Sequence, residues 1–356
     1  MRSRRLVWCV VLLCACVVVA TPAFARNLKK FADAPDNTMK LHQHIRPFGF
    51  PSALLSTNVG VYLGYTYAEV EYANKLDFAL FKEDQFKLAG LVQVIDFEAK
   101  FHDRFSTEFL ISGSLNSGAD DRSALVVGGQ GLYALSAIPK VNLVRNDKWG
   151  TAVSLGLSLD YDQGVQSSPF ALMIQVLENV GEFLDDLAAG KIDEVDEDTL
   201  QDIVEIKLAD ALTTTTTTGV SPMILYTQTV VPAFGIQACL RYDYGINEDV
   251  DSPNDEDTGD PPTGWFVGGL AVYDFYRVSK AAVGLRLEGF YETEENDETT
   301  SKLTTYAGGI LFTGRRSLDL GMTVSYQQTQ VDFGDSVIPE MDGSSYTLLL
   351  NMKYYF

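Results

Sequence analysis

The residues that could do chemistry in this 356-residue chain are few: three histidines and, after residue 25, one cysteine. A serine nucleophile needs an imidazole within hydrogen-bond reach. His42 and His44 precede the first long alternating segment, and His102 falls in a short turn, so none is placed to activate a hydroxyl on those segments. No catalytic residue is assigned. Cys239 has no neighbouring base and reads as an inert thiol. Carboxylates such as Asp160 and Glu288 could work as an acid–base pair with a neighbour, but Arg241 and Arg286 alternate onto comparable positions, and charge balancing is the simpler reading. The acidic runs 248–260 and 292–298 read as solvated loops; the acids of the first lack a glycine and a closing glutamate at calcium-loop spacing, so no metal site is assigned. There is no nucleotide-binding loop, energy-coupling box or cofactor motif. A net charge of −21 repels phosphates and excludes nucleic acid as a natural partner.

Residues 1–25 have the layout of a secretory leader: Arg2, Arg4 and Arg5, then the apolar run Leu6 to Ala20, then Ala23-Phe24-Ala25 as the cleavage site. The run, about 15 residues, is short of the roughly 20 a spanning helix needs. A lipid-modified Cys16 is the rival reading, but the apolar run continues through Val19 beyond it. Cleavage removes Cys9, Cys14 and Cys16 and leaves Cys239 alone, so no internal disulfide can form.

The remaining sequence alternates. Tyr346, Leu348, Leu350, Met352, Tyr354 and Phe356 share one face of an extended segment, with Ser345, Thr347, Asn351 and Lys353 on the other. Leu318 to Gln327, Val283 to Glu292, Phe234 to Tyr244 and Val153 to Tyr161 repeat the split, and tyrosines gather toward segment ends. In hydrocarbon every backbone polar group must be paired, so strands cross a bilayer only as a closed barrel, apolar side chains outward. A soluble sandwich also alternates, but it would bury the face that here carries Asp, Glu, Arg and Lys. The spacing predicts an all-β fold, a closed antiparallel transmembrane barrel of about twelve strands. They fall near 58–73, 86–101, 104–115, 123–136, 150–163, 220–230, 234–246, 264–278, 281–293, 303–314, 317–332 and 345–356. Pro139 with the apolar stretch Val141 to Val144, and Pro222 with Pro232, mark the segments where another strand or a break could hide.

Tyr346-x-Leu348-x-Leu350-x-Met352-x-Tyr354-x-Phe356 resembles the closing strand of bacterial outer-membrane β-barrels, whose members end in an aromatic residue after such a strand. The resemblance covers architecture across the whole mature chain and no solute motif. It implies a Gram-negative outer-membrane location, Tyr354 and Phe356 as the assembly signal, and the barrel-assembly machinery, lipid and lipopolysaccharide as partners.

Two segments stand outside the alternation. Ser168, Pro169 and a helical spacing from Phe170 to Leu187, then Thr199 to Leu212, predict a helical extracellular insertion (168–212) between strands five and six, as a lid or a self-packed hairpin. Residues 26–57 carry Arg26, Lys29, Lys30, Lys40, His42, His44 and Arg46, and read either as a disordered periplasmic segment or as a luminal plug held in an acidic barrel. The second layout is similar to the N-terminal hatch of long-chain fatty-acid transporters, without a matching motif and with fewer strands.

The expected function is a passive channel or transporter for small solutes, its lumen lined by Glu108, Asp160, Arg241, Asp243, Arg286, Glu288, Asp319 and Lys353, with an acidic bias toward cations or neutral molecules. The alternative from another class is a structural or surface-interaction barrel with a closed lumen. An outer-membrane hydrolase ranks third, because of where the histidines fall.

Overall fold

The computed structural model describes residues 37–72, 85–120, 123–124, 128–167, 212–252, 255–257, 261–296, 299–315, 317–332 and 340–356. A small hairpin comes first, β1 (Thr38–Met39) and β2 (His42–Gln43). Long strands follow: β3 (Asn58–Tyr72), β4 (Gln85–His102), β5 (Phe105–Gly118), β6 (Gly129–Asn146), β7 (Thr151–Ser167), β8 (Leu212–Val231) and β9 (Phe234–Ser252). After the three-residue β10 (Asp255–Asp257) come β11 (Thr263–Asp274), β12 (Val283–Glu295), β13 (Thr300–Phe312), β14 (Leu318–Asp332) and β15 (Glu340–Tyr355). Every long strand pairs antiparallel with its sequence neighbour, and β15 returns to pair with β3, which closes a twelve-stranded barrel. Closure leaves no unpaired edge among these strands, which is what hydrocarbon demands.

The alternation sets which side chains face in. Along β12, Leu287 is 68% exposed while its neighbours Arg286 and Glu288 are 1% and 5% exposed. The same holds around the ring, with Leu91, Leu115, Ile224, Val267, Ile310, Val324 and Leu350 outward and Asp96, Gln237, Thr323 and Asn351 inward and buried. A soluble protein does not expose so continuous an apolar surface. Tyr326 and Tyr346, on neighbouring strands with ring centroids 5.1 Å apart, form part of the outward aromatic girdle. No helix among the described residues is long and apolar enough to cross a membrane; the strands do the crossing. A barrel with this outer belt belongs in the outer membrane.

At one end the strands join through 103–104, 147–150, 232–233, 275–282 and 313–317, and at the other through 73–84, 119–128, 168–211, 253–262, 296–299 and 333–339; these are called the turn end and the loop end below. The chain termini of the barrel meet at the turn end, where the Phe356 amide donates to the Thr57 carbonyl at 2.9 Å.

Three expectations need correction. The fourth strand is β6, displaced toward the C-terminus of the expected 123–136, and it runs through Pro139. Pro139 is tolerated because the β6–β7 ladder breaks there: pairing stops at Ala137 opposite Leu159 and resumes at Lys140 opposite Gly156. Pro222 does the same in β8, between Val220 opposite Tyr244 and Met223 opposite Arg241, so β8 starts at Leu212 and takes in the whole threonine run. The third concerns the segment expected to run to 278: β11 ends at Asp274 and gives way to a one-turn helix, α1 (Tyr276–Ser279), closed by Lys280 at φ 62°. The predicted leader (1–25) and almost all of the helical insertion (168–211 of 168–212) lie outside the described residues.

Candidate functional site: the lumen

Residues 37–57 run inside the turn-end half of the barrel. Their hairpin, β1 with β2, makes no ladder with the barrel strands, so side chains hold the segment in place. The densest contact is around Arg46. Its Nε bonds Glu108 Oε1 and lies 3.5 Å from Asp96 Oδ2, and its Nη1 donates to the Pro47 carbonyl at 3.0 Å. The wall completes the cluster: Lys140 Nζ is 3.0 Å from Glu108 Oε2 and 2.8 Å from Glu98 Oε1, and Lys353 Nζ is 3.0 Å from Asp96 Oδ2. Each of these six groups is at most 5% exposed. Three cations therefore face three carboxylates away from water, where an unmatched charge would be costly.

Backbone groups of the segment are paired as well, as buried amides and carbonyls must be. Glu288, held by Arg286, accepts the amides of Phe48 at 3.1 Å and Gly49 at 2.9 Å. Gln237 donates to the Ile45 carbonyl and accepts from Ser52 Oγ at 2.7 Å. The Ala53 carbonyl accepts from Ser154 Oγ at 2.6 Å. Glu98 accepts the Ser56 amide and hydroxyl at 3.4 and 3.3 Å.

An apolar contact lies among these polar ones. Phe50 meets Phe266 edge to face at 6.1 Å between centroids, and Met39, Ile45 and Leu54 join Ile138, Met223, Leu225 and Leu270 in one buried cluster. The approach is close enough to need glycine: a Cβ on Gly268 would lie 2.8 Å from Phe50, and one on Gly49 would lie 2.7 Å from Phe290.

Nearest the turn end sit two histidines. His42 and His44 pack edge to face at 4.7 Å. His44 Nε2 is 2.7 Å from Thr229 Oγ1, which donates to the Met39 carbonyl at 3.2 Å, so Nε2 is the donor in this contact. Burial lowers the pKa of His44 well below the ordinary value, helped by His42 and Arg145. Burial also lowers that of His42, against opposing pulls from the Pro232 carbonyl and Asp274. This hydroxyl–imidazole contact is fully buried, with no room for a substrate.

Two voids near this segment, lined in part by His44 and Arg46 and by Gln43 and Ile45, each hold about 10 Å³, the room of one water. Toward the loop end the lining is more open. Arg241, over Phe266 at 4.6 Å, pairs with Asp243 at 2.7 Å and Glu292 at 2.5 Å. Asp160 accepts from Ser158 at 2.6 Å and Ser221 at 3.2 Å. A separate groove of about 820 Å³ opens on the outer wall, floored by Gly113 and Gly131 and flanked by Leu63, Leu91 and Leu115.

The eight residues singled out by alternation all point inward, but they divide. Glu108, Lys353, Arg286 and Glu288 belong to the contacts around residues 37–57, and Asp319 is buried nearby, accepting from Asn351 at 3.3 Å. Asp160, Arg241 and Asp243 lie nearer the loop end. Gln237 and Glu292 alternate onto the polar face of their strands but were not counted among the lining residues; Asp96 and Glu98 were missed although they alternate inward within a recognisable strand, and Lys140 because Pro139 hid its strand.

No protein-family model matches the sequence, and no curated protein matches it. Among solved structures the chain is similar to an outer-membrane channel from Pseudomonas putida F1 (13% identity, 88% of this chain and 100% of that one, TM-score 0.48). It is also similar to the translocator domain of the autotransporter NalP from Neisseria meningitidis (11% identity, 96% and 97%, TM-score 0.45). A third is a FadL homologue from Pseudomonas aeruginosa (8% identity, 85% and 91%, TM-score 0.45). These are likenesses of architecture and name no solute for this chain.

Proposed function

We propose that this barrel is an outer-membrane channel or transporter for small solutes, passive, and closed at its turn end by residues 37–57 acting as a releasable plug. One observation carries the reading. The turn-end half of the lumen is occupied by a separate segment, held through side chains and without a strand ladder, where a purely structural barrel could be filled by its own wall. Eight strands can be packed solid by wall side chains and sixteen leave a channel; twelve lies between. In this reading Glu108, Lys353, Arg286, Glu288 and Asp319 line the closed half and Asp160, Arg241 and Asp243 the outer vestibule. Tyr354 and Phe356 present the last strand to the assembly machinery, and acidic loops meet lipopolysaccharide through divalent cations.

The test is single-channel recording in planar bilayers. Full-length protein is expected to be closed or to open rarely, and removal of residues 26–57 to give sustained steps. The rival reading, a structural barrel with a closed lumen, is favoured by the single-water voids around the segment. It predicts silence from both proteins, and that result would end the channel assignment.

A further inference from the structure

The contacts of Arg46 say more than that the lumen is closed. Asp96 and Glu108 flank one gap in the inner wall, and each already has a wall ammonium on one side: Lys353 on Asp96 and Lys140 on Glu108. What the wall leaves open is Glu108 Oε1 and the Asp96 carboxylate, and the guanidinium of Arg46 fills that opening. Without it the six-group cluster has two cations against three carboxylates, so the empty gap carries an unmatched negative charge in a site shielded from water. The fit of Arg46 is also incomplete. Asp96 Oδ1 is buried and has no hydrogen-bond partner, and one guanidinium nitrogen, Nη1, is spent on its own chain at the Pro47 carbonyl. An untethered planar cation could present donors to Glu108 Oε1 and to both oxygens of Asp96 at once.

Resting on the plug reading above, we propose that the gap between Asp96 and Glu108 is a solute site for small guanidinium-type cations. Arg46 occupies it as a built-in surrogate while the channel is closed, and solute and plug compete for the same two carboxylates. Among the described loop-end residues, Asp243 and Glu292 share Arg241, Glu294 lies beside them and Asp160 is held by serine hydroxyls, an acidic surplus whose field concentrates cations ahead of the site.

The experiment is chemical rescue in the full chain. Arg46→Ala vacates the gap, and Arg46→Gln, which keeps more of the side-chain volume, is run in parallel in case the alanine variant does not fold. Each is titrated with methylguanidinium and with the neutral isostere methylurea while the thermal unfolding midpoint is followed. The expected result is a saturable rise with methylguanidinium, at an apparent Kd at least about tenfold below that of methylurea. The rise should be absent in the wild type and lost when Glu108→Gln is added. Equal responses to the two compounds, or rescue that survives Glu108→Gln, would overturn the site. Bilayer recordings of the same variants separate the two proposals. Rescue without any current supports the site and removes the channel; current with no preference for guanidinium over chloride keeps the channel and removes the site.

Discussion

His42 and His44 face Thr229 and Gly235 on neighbouring strands and Pro232 in the turn between them, and the charged groups near them are Asp274, Arg277 and Arg145. Asp274 is already paired with Arg277 at 3.4 Å, so no free carboxylate waits to receive a second proton on either ring. Both imidazoles have lowered pKa values while seated and regain the ordinary value of 6.5 when released. The released segment therefore binds more protons than the seated one below about pH 6.5, and seating weakens as pH falls through that value. With two groups involved, the ratio of released to seated forms rises by up to about a hundredfold per pH unit. Open probability in bilayers should climb between pH 7.5 and pH 5 and flatten in a His42→Gln, His44→Gln variant; an unchanged climb in that variant would remove the histidines from the explanation. The sequence marked both rings as basic residues ahead of the barrel. Which wall groups they would meet was not legible, because that depends on how a segment without strand pattern folds back.

At the scale of elements, the strands were readable because burial on one face and lipid on the other impose a period of two on every one of them. The exceptions have local causes. A proline reads as a strand end, yet Pro139 and Pro222 each sit where one neighbouring ladder is interrupted while the other continues, at Thr107 and Leu157. Such a break depends on the partner strand and leaves no local signature. Likewise Asp96 carried the right period and Lys140 lay beyond the expected end of its strand, and nothing near either said that they would meet in the cluster around Arg46. The seating of the inner segment rests on shape as well as charge, and the test of that is Gly49. A side chain there would strike the Phe290 ring, so Gly49→Val is expected to weaken seating by about 1–3 kcal/mol. The bilayer should show this as a leak while the folded barrel's thermal midpoint changes little; a tight barrel in the variant would mean the contact is slack.

At the scale of the molecule, closure depends on one seam, β15 against β3, where Tyr355 pairs with Asn58 and Met341 with Tyr72. Removing residues 340–356 should leave β14 and β3 as open edges and abolish the compact, protease-resistant barrel. A stable barrel after that deletion would mean the ring can close in another register. The seam also has a consequence in time. Of the twelve barrel strands the one that completes the ring is the last in chain order and its partner is the first, so loop-closure entropy is at its largest for the one pairing that encloses the lumen. Residues 37–57 are joined directly to β3, at the edge of that seam. A segment that folds inward before the ring closes is enclosed as the seam zips; one that comes later has to enter through the turn end, the same route by which a releasable plug leaves and returns.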